Sequence, residues 1–319
     1  MSVCRGDNLM KTKYILKRVV QIIPMLIVVS IIAFTLSNLS TGSAAEITIM
    51  NEGGQVNSET VAAVNKELGL DKPLYIQYIN WLGRVCSLNF GVSFRSKQPV
   101  WDEIMSRFPA TLNLALCATA LSILIAIPIA IISAKYKNKW IDHFCRIIST
   151  AGATVPDFWL GLIMLYAFAI NFKIFPVVAG NKIQNIFLPA FTLSLSYAAI
   201  YTRLLRTNLI EIMNCDYMKA AKAKGLSDNA VLIKHGLKNA MLPCMTLIGS
   251  HFGTLVAGNF ACEAIFSWNG VGKYAVESIK AKDFPVIQGY ILVVAISFIV
   301  LNLIIDICYI YIDPKIELK

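Results

Sequence analysis

Three histidines, eight cysteines and a few acids within apolar stretches are the residues of this 319-residue chain that could do chemistry. His143, His235 and His251 stand far apart, with no H-x-x-x-H, no H-E-x-x-H and no Cys/His cluster. That spacing gives no built-in transition-metal site. Cys4, Cys86, Cys117, Cys145, Cys215, Cys244, Cys262 and Cys308 are scattered and form no C-x-x-C. They read as small apolar side chains rather than a disulfide framework. There is no P-loop, so ATP is not bound by that route. No G-x-S-x-G and no carboxylate pair suggests hydrolytic or acid–base work. The acids are the sharper clue, because charge inside a membrane is costly and usually functional. Asp157 follows Pro156 within an apolar stretch, and Glu263 and Asp306 lie near the ends of two others. Asp157 and Glu263 are candidate path or gate residues. An ion-coupled carrier needs acids at the bilayer midplane. Only Asp157 approaches that position, which weakens the carrier reading.

The elements that must position these residues are membrane spans. The chain is 56% hydrophobic and 15% charged, whereas soluble domains run nearer a quarter charged. It therefore reads as an all-α integral membrane protein. Hydropathy predicts six spans, at about 17–39, 109–134, 147–170, 186–205, 243–265 and 286–311. The first follows Lys11, Lys13, Lys17 and Arg18 and is longer than a signal-peptide core, so it reads as a retained span. Met10 is an alternative start. The net charge of +10 fits a positive-inside bias better than nucleic-acid binding. With the N-terminus inside, the inner segments hold five Lys or Arg in 1–18, four in 135–146, seven in 203–238 and two in 315–319. The outer segments hold six in 40–107, two in 171–185 and three in 267–285. The long 40–107 segment counts for little. Both termini are therefore expected in the cytosol of a cell whose plasma membrane the chain crosses several times. The expected organisation is a cytosolic extension 1–16, a first span 17–39, an extracytoplasmic segment 40–108, a core 109–312 and a cytosolic end 313–319.

Segment 40–108 is too long for a simple connector. Glu59 to Leu68 has an amphipathic helical pattern, with Gly69 placed to end it. Leu74, Tyr75, Tyr78, Ile79, Trp81 and Leu82 repeat at helical spacing. Leu88 to Phe94 reads as a turn with exposed aromatics. The segment serves equally well as a docking surface for an outside partner or as a packed cap.

The polar interval 211–243 is the most informative. From Asp216, residues Tyr217, Ala220, Ala221 and Lys224 share one helical face. Asn214 or Asp216 can cap its start, and Gly225 can end it in a left-handed conformation. Ser227 caps a second helix with Asp228 in its first turn. Ala230, Ile233, Leu237 and Met241 form that helix's apolar face, and Pro243 marks entry to the next span. Small residues on the first face admit a closely approaching partner, and they argue against an element lying on lipid headgroups.

The order Ala220-Ala221-x-x-x-Gly225 followed by His235-Gly236-Leu237-Lys238-Asn239-Ala240 resembles the cytosolic EAA loop of ATP-binding-cassette (ABC) importer permeases. More closely, the chain resembles the first (B-type) permease subunit of the peptide/opine/nickel subfamily. Supporting stretches cover nearly the whole length. They include 68–74 with Gln77-Tyr78, 90–94, Arg107-Phe108-Pro109-Ala110-Thr111-Leu112, Pro156-Asp157-Phe158-Trp159-Leu160-Gly161 and Leu188-Pro189-Ala190. Others are Arg203-Leu204-Leu205-Arg206, 263–272 with Tyr274-Ala275, 283–289 and Asp313-Pro314. Lys219 stands where the general motif has glutamate and Lys238 where it has proline. Thr41-Gly42-Ser43-Ala44 replaces a common Gly-Asp-Pro, and Asn269 a common proline.

The resemblance implies a type I importer permease bundle of six transmembrane helices with an extracytoplasmic insertion after the first. It implies a second, homologous permease, two cytosolic ATPases that carry the ATP and Mg, and an extracytoplasmic binding protein. It implies no cofactor on this chain and no catalysis by it. Asp216, Tyr217, Ala220, Ala221, Lys224, Gly225, Leu226, His235 and Leu237 become the ATPase-coupling residues. Stretches 88–94 and 283–288 look closest to nickel-type permeases, so nickel or a nickel chelate is the expected cargo. A di- or oligopeptide is the alternative within the subfamily.

Overall fold

A computed structural model describes residues 20–35, 46, 49, 57–68, 71–180 and 183–312. The expected extension 1–16, the end 313–319, the Thr41–Ala44 stretch and Gly69 lie outside these residues. The chain divides into two compact units, one made of residues 1–109 with 270–319 and the other of residues 110–269.

The first unit holds α1 (Val20–Thr35), α2 (Ser58–Leu68), α3 (Leu74–Cys86), α11 (Val271–Lys280) and α12 (Phe284–Ile312), with the opening turns of α4 (Val100–Lys135). Asn57 starts α2 by accepting from the Thr60 amide at 2.8 Å. The aromatic spacing of 74–82 has a packing cause. Phe34, Tyr78 and Trp81 meet with ring centroids 5.5 to 6.1 Å apart, and Trp81 is buried. The turn at 88–94 differs from expectation. Phe90 is buried and stacks on Trp101 at 5.5 Å, rather than standing exposed. Positive φ at Leu88 and Gly91 reverses the chain, and Val92 and Pro99 close it with an antiparallel bridge. Asp283 holds this turn from below. Its buried carboxylate accepts from Ser93 Oγ at 2.5 Å, the Phe94 amide at 3.1 Å and the Arg95 amide at 3.2 Å. Gly289 lets α12 approach α4, since a Cβ there would meet Val100 Cγ1 at 2.8 Å. Tyr274 donates to Glu103 and lies under the Arg107 guanidinium at 4.1 Å. Burial, and then the bond to Glu103, push the Tyr274 phenol up from its ordinary value. The segment expected to lie outside the membrane therefore shares one core with α1, α11 and α12.

The second unit holds the rest of α4, α5 (Trp140–Thr154), α6 (Asp157–Met164) with its π-helical continuation Leu165–Asn171, and α7 (Phe187–Met213). It continues with α8 (Asp216–Ala223), α9 (Leu237–Val256) and α10 (Phe260–Ile265). Helix α7 is the hub, packing on α5, α6 and α9. It buries thirteen residues, many of them small or hydroxylated, including Thr192, Ser194, Ser196 and Thr202. A helix shielded this way by its neighbours does not need a fully apolar surface. The helix covers the span expected at 186–205 and continues to Met213. By length and composition, two helices among the described residues qualify as membrane-spanning, α4 and α12.

The bent pair α5 and α6 counts as a third span if taken together. The expected straight span 147–170 is thus corrected to two helices meeting at 102°. Pro156 forces Val155 into extended backbone, at φ −72° and ψ 128°. The expected span 243–265 is also divided. Helix α9 stops at Val256, Gly258 takes φ +101°, and Asn259 caps α10 by accepting from the Cys262 amide at 3.2 Å. Helix α4 opens at Val100, well before the expected span start at 109. Its 36 residues reach roughly 54 Å at the usual rise per residue, against a hydrocarbon core of about 30 Å.

Candidate functional site: the coupling loop

The interval 211–243 forms the expected helix–glycine–helix. Helix α7 ends at Met213, and the Met218 and Lys219 amides donate to the Cys215 carbonyl to start α8. Helix α8 stops at Ala223, and Gly225 follows at φ +85° with nothing within 4 Å of where a Cβ would stand. Ser227 Oγ accepts from the Ala230 amide at 3.4 Å. From Asp228 the chain runs helically without interruption into α9, through a π-helical stretch at Val231–Gly236. Pro243 therefore lies inside α9 and marks no boundary.

The π-helical stretch changes the expected apolar face. Widening each turn by a residue moves the side chains round the axis. Val231, Leu232 and Gly236 are buried, whereas Ile233 is 54% exposed. Ala240 and Cys244 continue the buried line against Leu205 and Leu209 of α7.

One residue organises α8 that sequence reasoning passed over. Met218 is fully buried, and its Cε lies 3.4 Å from the Cβ position of Gly236, beside Leu209. The flexible thioether fills the gap that Gly236 leaves. The sequence signal was present: Met218 is the one large aliphatic side chain in a short helix of alanines and lysines. With Met218 facing in, the expected coupling face turns outward. Asp216, Tyr217, Ala220, Lys224, Gly225 and Leu226 are exposed, and Ala221, His235 and Leu237 are half-buried. Tyr217 is anchored at its tip, where Oη accepts from Asn239 Nδ2 at 3.3 Å. Lys219 and Asp216 pair at 2.8 Å, but both are too exposed for the pair to contribute much.

A second missed feature fixes the base of this region. Asp142 of α5 is fully buried and accepts from Arg206 Nε and Nη2, both at 2.7 Å. It also accepts from Ser133 Oγ at 2.7 Å and the Asn138 amide at 2.8 Å. One carboxylate thus joins the end of α4, the 136–139 turn, α5 and α7. Arg206 belongs to the Arg-Leu-Leu-Arg stretch, but nothing in the sequence names its partner.

The candidate path acids separate. Asp157 is half-buried in the first turn of α6, directly after the bend. Glu263 is fully buried in α10 and accepts from Thr111 Oγ1 at 2.7 Å, while Trp268 Nε1 donates to the Ala110 carbonyl at 2.9 Å. These contacts tie Ala110 and Thr111 to Glu263 and Trp268, within two of the stretches that carry the resemblance. The side chain of Asp306 lies outside the described residues.

Residues 126–318 match the family described as "Binding-protein-dependent transport system inner membrane component", and residues 11–115 match its N-terminal counterpart. The chain belongs to that family. The permease is 35% identical over 306 residues to the glutathione transport system permease protein GsiC of Escherichia coli K12, covering 96% of this chain and 99% of that one. The Salmonella typhimurium GsiC matches to the same extent. The fold also matches an inward-facing MetNI methionine ABC transporter, with TM-score 0.54 at 14% identity, over 66% of this chain and 96% of that one. The permease therefore has the all-helical ABC importer fold of a type I membrane component. It is a non-catalytic, multi-pass inner-membrane subunit that works with a binding protein and an ATPase. These relatives favour the peptide alternative, and the expectation of nickel is set aside.

Proposed function

We propose that this permease forms half of the translocation path of an ATP-driven importer for short peptides of the size and polarity of glutathione. A second, homologous permease completes the path, and two cytosolic ATPases carry ATP and Mg. On this reading both termini and the 211–243 loop face the cytosol. Helix α8 is then the coupling helix, presenting Tyr217, Ala220, Ala221 and Lys224 to a groove on one ATPase, with Gly225 setting the turn behind it. The observation that supports this best is the outward-facing small-residue surface of α8 on its Met218 anchor, in a chain related to GsiC over 96% of its length. Closure of the ATPases would push α8, and its packing on α7 and the π-helical stretch would carry that motion into the bundle.

The test is uptake of radiolabelled glutathione by proteoliposomes holding both permeases and the ATPases, with binding protein supplied outside. Uptake should require both ATP and binding protein. Accumulation in vesicles lacking the ATPases would overturn the importer reading in favour of an ion-coupled carrier.

A further inference from the structure

A polar cluster inside the second unit has no role in the coupling loop or the packing described above. Tyr197 and Tyr201 stand one turn apart on α7 with ring centroids 6.3 Å apart. His251 of α9 lies against both, 4.9 Å from Tyr197 and 5.6 Å from Tyr201. Tyr201 is 98% buried among Ala126, Ala198 and Ile125. Yet its hydroxyl and His251 Nδ1 have no hydrogen-bond partner among the described residues. Ser196 Oγ on α7 and Thr119 Oγ1 on α4 share that condition. Buried polar atoms are almost always paired, and the exceptions point to function or to a bound molecule. Packing alone would be served as well by phenylalanine and leucine, which leave nothing unsatisfied. Tyr197 and His251 are half-buried, so the cluster reaches the surface of the unit at one edge.

We infer that Tyr197, Tyr201 and His251 form a contact site for the peptide cargo within the translocation path. This rests on the peptide-importer reading above. Phenols and an imidazole donate and accept without carrying a fixed charge, which suits the amide and carboxylate groups of a short peptide. The aromatic faces give sequence-tolerant contact, and the absence of a strong charge partner lets the cargo leave.

The experiment compares the full complex with Tyr201→Phe and His251→Phe. Tyr201→Phe keeps the ring and removes only a hydroxyl that has no partner among the described residues, and His251→Phe keeps an aromatic ring there while removing both imidazole nitrogens. Glutathione uptake should fall roughly tenfold in each, the usual scale for a lost hydrogen bond to a charged or strongly polar group. The Tm in detergent should stay level or rise, and ATP hydrolysis stimulated by loaded binding protein should remain within about twofold of wild type, since the coupling loop is untouched. Unchanged uptake in both variants would overturn the site and leave structural water as the partner of these atoms. A joint fall of uptake, Tm and ATP hydrolysis would make the cluster a folding element and overturn the site as well. Failure of the wild-type complex to take up glutathione would instead sink the substrate reading, and the peptide role of the cluster with it.

Discussion

Gly225 separates two demands that the coupling loop makes on one residue. Its φ of +85° lies in the left-handed region, where a Cβ costs about 1–2 kcal/mol. Nothing stands within 4 Å of the Cβ position, so a side chain meets no clash in the isolated permease. Substitution therefore acts through the backbone or through whatever docks there. Gly225→Asn tests the first demand mildly, because asparagine tolerates this conformation. Gly225→Val tests it severely, because a β-branched residue at positive φ is a true outlier. A penalty of 1–2 kcal/mol lowers the population of the correct turn by roughly 5- to 30-fold. Uptake and binding-protein-stimulated ATP hydrolysis should fall on that scale for valine and by no more than about twofold for asparagine. Gly225→Asp is nearly isosteric with Gly225→Asn and differs by one charge. Any further loss in the aspartate variant must come from a partner surface lying against the turn, and we expect transport to be abolished while the protein still inserts. Valine behaving as wild type would refute the conformational argument. Aspartate matching asparagine, with ATP hydrolysis normally coupled, would refute the assignment of α8 to the ATPase groove.

Two further outcomes follow from the packing. Met218→Ala removes the fully buried anchor of α8 and should cost roughly 2–5 kcal/mol of local docking, read as faster proteolysis at 214–227 together with lost uptake. Met218→Leu should restore both, because the swap nearly conserves volume, and protection of the alanine variant equal to wild type would exclude the anchor. Asp142→Ala leaves the half-buried Arg206 guanidinium without its carboxylate and should lower stability in detergent by about 1–3 kcal/mol. Adding Arg206→Met should recover 1 kcal/mol or more of that loss in a double-mutant cycle, and additive single effects would show that the pair is not coupled.

The fold was legible where one local signal decides the backbone. Gly225 after a helical run, Ser227 ahead of another, and the aromatic spacing of 74–82 each state a conformation within a few residues, and the structure forms all three. Legibility failed where a distant residue supplies the reason. Phe90 looks like an exposed turn aromatic until Trp101 is placed over it and Asp283 beneath the turn, a contact spanning 190 residues. The straight third span was misread for another cause. Pro156 was noticed, but a bundle tolerates prolines by resatisfying the backbone elsewhere, so the residue alone does not say whether the helix kinks or turns through 102°.

The functional residues divide in the same way. The exposed face of α8 could be read from spacing, because Tyr217, Ala220 and Lys224 recur at the helical period. Its anchor showed only as one large aliphatic side chain in the helix, because Met218 acts through Gly236 and Leu209, and the π-helical stretch that brings Gly236 into place breaks the 3.6-residue count on which spacing arguments depend. The buried Asp142–Arg206 pair has the same character, joining residues 64 apart with no pattern to announce it. Glu263 was legible as an acid in an apolar stretch, but its bond to Thr111, 152 residues earlier, was not. The buried polar atoms left without a partner among the described residues are instead uncharged ones on α4, α7 and α9, where a charge-based reading of the sequence does not look.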